Sequence, residues 1–516
     1  MVQLQQFQQQ ALSLIRQPNL TQSQKQLALS QLAESMLPEP AFSAEVQQGL
    51  EQGVFHDMFE SAAPYKPRYV LPDYALALQQ GSEFLELAPP QDLDEAINFL
   101  SILYQHVPSV TSYPVFLGQL DRLLEPFVDA GLTDAQLEKK LSLFWQMIDR
   151  TLPDSFVHAN IGPEDSRVAR AILKVDASLK QSVPNLTFRY DPECTPDDLL
   201  QQVVDNIIAC NKPHIANHPV IAADFDDDYG VVSCYNSLPI GGGSHTLMRL
   251  NLRASFDRCD GSVEDYLSRV VPECAGQMAD AMTHRIRFLV EESNFFQSHF
   301  LCQEGVVRLD RFTAMFGIYG LAELVNQLMD HQGKAGRYGL DAEATELGQR
   351  IVAAYQLQVD AIDMIHCADG KLVYHSQSGI SCDADETAGT RIPVGSEPDT
   401  LSHIKLCAPM HRYFDGGISD IFAIDPTIRH NPAALTRLVK GGLELGLRMF
   451  TANLSDNDLV RVTGFMVKKS DIDKFRQQAE RHHSTCLGAE AVDVVGILER
   501  QARVISHEQH PAALWK

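Results

Sequence analysis

Apolar residues recur at helical spacing through the first sixty positions, at Leu4, Phe7, Ala11, Leu12 and Ile15 and again at Leu27, Leu29, Leu32 and Met36. Two or more amphipathic helices are expected, because Leu and Ala interrupt the Gln-rich stretch too regularly for a disordered tract. Helical patterns return at 93–106, 114–130, 133–150, 166–179 and 195–211, separated by Pro-containing breaks. Residues 1–212 therefore read as a mainly helical region, a scaffold and dimer surface with no catalytic spacing. The pattern changes at 218–225, a β-type apolar run ending in Asp224, Asp226, Asp227 and Asp228. A second run, Tyr229-Gly230-Val231-Val232, leads into Ser233-Cys234-Tyr235-Asn236-Ser237 and a triple glycine at 241–243. Strand, loop, strand is the expectation, with Cys234 near the loop tip. Helices are expected again at 263–271, 273–293, 311–330 and 344–364, the third nearly apolar all round and so buried. Strands and loops resume after Gly370. A helix at 431–441 is opened by Asn431-Pro432 and stopped by Gly441-Gly442, and another at 470–481 is capped by Ser470.

Composition narrows the partners. At 516 residues the chain exceeds a usual single core, so two or three domains or one large α/β barrel are expected. A formal charge of −25 argues against nucleic acid and anionic membrane, since no basic patch rises above that background. No run of about eighteen apolar residues is present, and the first residues, Met1-Val2-Gln3-Leu4, lack the basic start and apolar core of a secretory leader. A cytoplasmic protein is expected. Ten scattered cysteines with no Cys-x-x-Cys pair point to reduced thiols, and no metal site is expected. The triple glycine lacks the Gly-Lys-Ser/Thr of a phosphate loop. The Asp224 to Asp228 run matches no EF-hand and reads as a solvated face.

Two stretches carry chemistry. The first is Val460-Arg461-Val462-Thr463-Gly464-Phe465-Met466-Val467, apolar and β-branched around one glycine and preceded by turn-formers, a strand pair with Gly464 at its apex. A tight turn needing positive φ is one account of that glycine. The Arg-Val-Thr-Gly-Phe run also resembles the fingerprint of glycyl radical enzymes, whose backbone radical sits on the glycine. The second stretch is the Cys234 loop. It is similar to the loop that carries the thiyl cysteine in that superfamily, which includes pyruvate formate-lyase, and it is followed by glycines and Met248-Arg249-Leu250-Asn251 at similar distances. The Cys-Tyr-Asn-Ser-Leu-Pro-Ile-Gly-Gly-Gly run most resembles the YjjI family of these enzymes. The resemblance covers about residues 218–480.

That likeness implies a ten-stranded α/β barrel surrounded by helices, with a barrel core at 213–440 carrying the cysteine loop and a C-terminal glycyl radical domain at 441–516. It implies no permanently bound cofactor, a radical installed on Gly464 by a separate activating enzyme using S-adenosylmethionine and an iron–sulfur cluster, and a homodimer. Cys234 and Gly464 are the implied catalytic pair. No Lys or Arg stands between Tyr229 and Ser244 to favour a thiolate, which suits a cysteine that must keep its S–H for hydrogen-atom transfer. Departures from the better-known branches bear on the reaction. Ser233, not a second cysteine, precedes Cys234, which argues against acyl transfer through paired thiols. Asn236 stands where the dehydratase branch carries a glutamate base, and an amide cannot take a proton at neutral pH. Only Cys407 lies in the region where anaerobic ribonucleotide reductases place four cysteines. Radical cleavage or elimination on a small polar metabolite is the expectation, with Asn236, His245, His411 and Asp415 as candidates to bind it. A Cys234/His245 hydrolase or transferase, and a non-catalytic relic barrel, are the alternatives.

Overall fold

The computed structural model describes residues 2–37, 41–57, 65–108, 116–152, 156–376, 386–461 and 464–477. Its fifteen strands in chain order are β1 (Phe55–Asp57), β2 (Tyr69–Leu71), β3 (Phe116–Gln119), β4 (His158–Ile161), β5 (Asn185–Tyr190), β6 (His214–Asn217), β7 (Tyr229–Val232), β8 (Asn236–Pro239), β9 (Gly242–Asn251), β10 (Phe312–Tyr319), β11 (Leu372–Ser376), β12 (Asp420–Ile424), β13 (Met449–Leu454), β14 (Leu459–Arg461) and β15 (Met466–Lys468). A six-stranded sheet runs β12-β13-β6-β5-β4-β3, and a five-stranded sheet runs β1-β9-β10-β11 with β2 also on β9. Helices cover the outer faces and the β7–β8 hairpin lies between the sheets. The result is the expected α/β barrel with helices heavily represented in the N-terminal region.

Alternation along the strands sorts side chains between the two sides. On β9, β10 and β11, Met248, Leu250, Phe316, Ile318, Leu372 and Tyr374 join the helical layer, packing with the helices Val271–Arg287, Leu321–His331 and Ala342–Ala361. The opposite face of the same strands turns inward, and Leu247, Met315 and Val373 share one apolar cluster with Cys234. Buried residues of the helices Asp134–Thr151, Arg167–Leu179 and Asp197–Cys210 share one apolar cluster with Ala159, Leu186, Phe188 and Ile215 of the six-stranded sheet. The first opens on a capping box between Thr133 and Gln136, and the second on a Ser166 cap that accepts the Ala169 N–H.

Several elements differ from the sequence expectation. Residues 312–319 form β10, not the first half of a helix; only Leu321–His331 is helical. A parallel strand covered on both faces has no polar alternation, so its apolar run looks like a buried helix. Conversely, 218–225 is the helix His218–Phe225, with Pro219 in its first turn. Of 114–130, residues 114 and 115 lie outside the described set; β3 follows, then the short helix Leu120–Leu124. The helix Pro432–Glu444 runs through Gly441 and Gly442, and Leu447 and Phe450 pack where a Cβ on Gly442 would stand. The helix expected at 470–481 is Lys469–Arg476, and 478–481 fall outside the described residues. Strands β3 to β5 precede residue 212 yet share a sheet with β12 and β13, so the 212 boundary crosses a sheet.

Candidate active site

Two loops meet inside the barrel. Strands β7 and β8 pair antiparallel out to Val232↔Asn236, leaving Ser233, Cys234 and Tyr235 as the turn. Ser233 (φ 50°) and Tyr235 (φ 68°) are both left-handed, a conformation costing a non-glycine residue on the order of 1–2 kcal/mol. The surroundings hold it. The Asn160 amide of β4 accepts the Val231 N–H and donates to the Val231 carbonyl, both at 2.8 Å. Gln119 of β3 donates to the Tyr229 carbonyl at 3.0 Å. From the other side the Gly416 carbonyl accepts the Ser237 N–H at 3.2 Å, and His375 Nε2 of β11 lies 3.4 Å from the Cys234 carbonyl. Cys234 is buried as a result.

The second loop joins β14 to β15, which pair antiparallel up to Arg461↔Met466. Val462 and Thr463 of the motif lie outside the described residues; Gly464 lies within them and is buried. A Cβ built on Gly464 runs into Cys234 Cα and the Ser233 carbonyl oxygen and stands 2.8 Å from the Cys234 nitrogen. Gly464 therefore presses directly on the Cys234 backbone. Close approach to the Cys234 backbone demands glycine here. That is the cradle a glycine-centred radical needs: no side chain, and a cysteine adjacent.

Arg461 and His214 fasten this junction. The Arg461 guanidinium is fully buried, with Nη1 2.7 Å from His214 Nε2 and Nη2 donating to the Asn211 carbonyl. Its backbone N–H reaches Asn453 Oδ1 at 3.2 Å. The His214 ring stacks on His158 at 5.6 Å and meets the edge of Tyr235 at 4.5 Å, so one imidazole touches both loops. Phe465 packs edge-on against Phe156 at 5.0 Å. Burial, then the Arg461 charge, holds His158 down to about 3. The same two causes hold His214 well below the ordinary histidine value, opposed by a hydrogen bond to the Gly464 backbone. Both rings are neutral at neutral pH.

Polar atoms without partners gather near Cys234. The Asn236 side chain is 0 % exposed. Neither its Nδ2 nor its Oδ1 has a hydrogen-bond partner among the described residues, and the same holds for His375 Nδ1. Strand register places Arg249, Gly317 and His375 side by side across β9, β10 and β11. The Arg249 guanidinium lies over the Tyr319 ring at 4.5 Å. Burial holds His375 down to about 3.

The other candidates are placed differently. His245 is stacked on Phe312 at 4.9 Å, with Nε2 2.9 Å from the His366 carbonyl, and burial lowers it to about 4. His411 bonds Asp420 and the Arg448 N–H on the outer side of β12. Asp415 accepts the Tyr374 and Gly416 N–H groups at 2.7 and 2.8 Å; burial nevertheless raises it to about 6. The residues missed from sequence are His158, His214 and His375. Each is a polar residue inside an apolar strand, and only strand register shows which way it faces.

Comparison with known proteins agrees with this geometry. Residues 20–503 match the family model for glycyl radical enzymes of the YjjI-like type. The chain is 51% identical over 504 residues to a protein of Escherichia coli (strain K12) called uncharacterized protein YjjI, covering 98% of this chain and 97% of that one. In fold it is similar to a glycyl radical enzyme from Archaeoglobus fulgidus, with a TM-score of 0.66 at 14% identity over 89% of this chain and 83% of the other. It is similar too to the B12-independent glycerol dehydratase from Clostridium butyricum, with a TM-score of 0.64 at 11% identity over 93% and 84%. With the cysteine turn and the glycine loop in contact inside such a barrel, the chain belongs to the YjjI-like family of glycyl radical enzymes.

Proposed function

We propose that Gly464 stores an unpaired electron and that Cys234 carries it to a small polar metabolite, from which a bond next to the activated carbon is then cleaved or eliminated. The contact of Gly464 with the Cys234 backbone is the observation that supports this most directly. Gly464 Cα takes the hydrogen atom of the Cys234 S–H, leaving the electron on sulfur. The sulfur takes a hydrogen atom from a substrate carbon and re-forms S–H. After the bond breaks, the product radical recovers that hydrogen from Cys234, which recovers one from Gly464. Hydrogen atoms and the single unpaired electron are conserved through the cycle.

The interior suits a lyase or dehydratase acting on a hydroxylated or carbonyl compound. Asn236 offers one donor and one acceptor group, and His375 adds a further polar atom. Leaving such groups unpaired costs roughly 1–3 kcal/mol each, which a polar ligand offsets. Asn236 orients the substrate and does not deprotonate it, and His375 and His245, held near 3 and 4, are weak bases. The buried barrel excludes water and oxygen from the intermediates.

Gly464 is buried, so an activating enzyme using S-adenosylmethionine and an iron–sulfur cluster reaches it only if the C-terminal segment swings out. A homodimer is part of the same reading. Electron paramagnetic resonance of the anaerobically activated protein tests it. A glycine-type doublet, followed by chain cleavage at Gly464 in air, is expected. No doublet with an activase proven on its own substrate, together with an intact chain in air, overturns the proposal.

A further inference from the structure

The helix Thr400–His411 carries His403, Cys407 and His411 at four-residue intervals, which lines them along one face. All three are buried. The His403 ring meets the edge of Phe422 on β12 at 5.1 Å. His411 Nε2 lies 3.0 Å from Asp420 Oδ2, while His411 Nδ1 accepts the Arg448 backbone N–H at 3.0 Å. The second bond fixes the tautomer: the proton sits on Nε2 and is donated to Asp420. The other oxygen, Asp420 Oδ1, has no hydrogen-bond partner among the described residues although Asp420 is 2% exposed. Ligand atoms of His403, Cys407 and Asp420 all lie within 4.8 Å of one another.

We propose that His403, Cys407 and Asp420 bind a zinc ion, with His411 orienting the carboxylate from behind. An imidazole, a thiolate and a carboxylate are a borderline-soft set that suits Zn2+ better than Mg2+ or Ca2+. Bonds of about 2.0–2.3 Å in a tetrahedral site separate neighbouring ligand atoms by roughly 3.3–3.7 Å, so side-chain shifts of about 1 Å close the cluster. The charges also balance, because thiolate and carboxylate together cancel the ion in a place with little water. Carboxylates that ligate metals are themselves hydrogen-bonded, as Asp420 is by His411. Binding replaces the Cys407 proton by the metal and releases it to solvent.

The site ties the outer helix to β12 and does not touch substrate. From β12 a polar chain continues inward: Ser419 Oγ lies 2.8 Å from Thr451 Oγ1, which lies 3.3 Å from His214 Nδ1. The competing account is a dry polar cluster in which Cys407 points its S–H at Asp420 and the neighbouring Arg391 supplies the counter-charge.

Metal analysis of the full-length protein, purified without chelator and then incubated with zinc and desalted, separates the two. About one zinc per chain is expected for the native protein, with loss of at least nine-tenths of it in Cys407→Ser and in His403→Gln. Loading with Co2+ should give a thiolate-to-cobalt absorption band that Cys407→Ser lacks. Circular dichroism identifies a variant that has not folded; His403→Gln then stands in for Cys407→Ser. A native protein without zinc and without the cobalt band overturns the site, as does zinc retained in both folded variants.

Discussion

Replacing His214 with Ala removes the group that receives Arg461 Nη1 at 2.7 Å, at a guanidinium with no access to water. A hydrogen bond to a charged group contributes about 1.5–3 kcal/mol, and the space left by the ring adds about 1 kcal/mol. The glycine loop should therefore open more easily by roughly 2.5–4 kcal/mol, or about 60- to 700-fold in amide exchange if opening and closing are fast. Hydrogen–deuterium exchange read by mass spectrometry on peptides spanning 459–468 gives this directly, with the helix Ala342–Ala361 as internal reference. His214→Phe keeps the ring volume and isolates the polar part, so it should show about 1.5–3 kcal/mol of the effect. The reasoning is refuted if loop and reference peptides accelerate by the same factor, which would make His214 an ordinary core residue. Unchanged exchange in the loop refutes it as well.

Gly464→Ala should cost about 1–3 kcal/mol by forcing the two loops apart, read as a lower urea midpoint; an unchanged midpoint would show that Gly464 and Cys234 do not touch. His158, His375 and His245, held at about 3, 3 and 4, all titrate below the unfolded value of 6.5. Above pH 6.5 neither state carries the extra protons and stability is full; as pH falls toward those folded values the unfolded chain takes them up first. Three such groups give a loss on the order of 4 kcal/mol per pH unit, and a urea midpoint flat between pH 6.5 and 5 would contradict their burial as neutral rings. Lys212 and Asp176 form an ion pair at 2.5 Å with both side chains fully buried, so Asp176→Asn should destabilise by about 3–5 kcal/mol, measured by denaturant unfolding. Brief alkylation of the native protein should label exposed Cys194 well before Cys234, which is 5 % exposed; peptide mapping that finds Cys234 modified first would favour the thiol-nucleophile alternative.

The proposed pair, Cys234 and Gly464, is legible because it sits in short contiguous stretches. Cys234 lies between a Val-rich strand and glycines, and Gly464 within a run whose residue types leave few other uses. The reason for the glycine was not legible, since only the fold shows that Cys234 Cα occupies the space of its side chain. Residues 312–319 misled because a strand buried on both faces and a buried helix share one composition. His158 and His214 were passed over because their partners, Thr187, Thr451 and Arg461, are 29 to 247 residues away. From sequence, His411 and Asp415 read as polar residues that could line a pocket. In the structure one braces Asp420 and the other holds backbone N–H groups.

Strand β6 ends at Asn217, and its outer neighbour β13 begins at Met449. In a growing chain the cysteine hairpin leaves the ribosome long before the strand that closes the sheet beside it. At about 5–20 residues per second, translation of the intervening stretch takes roughly ten to fifty seconds. During that interval one edge of β6 stands open and Cys234 has no glycine to face. The proposed radical chemistry thus cannot begin on a nascent chain, and the open edge is where a translating molecule is most exposed to mispairing with another.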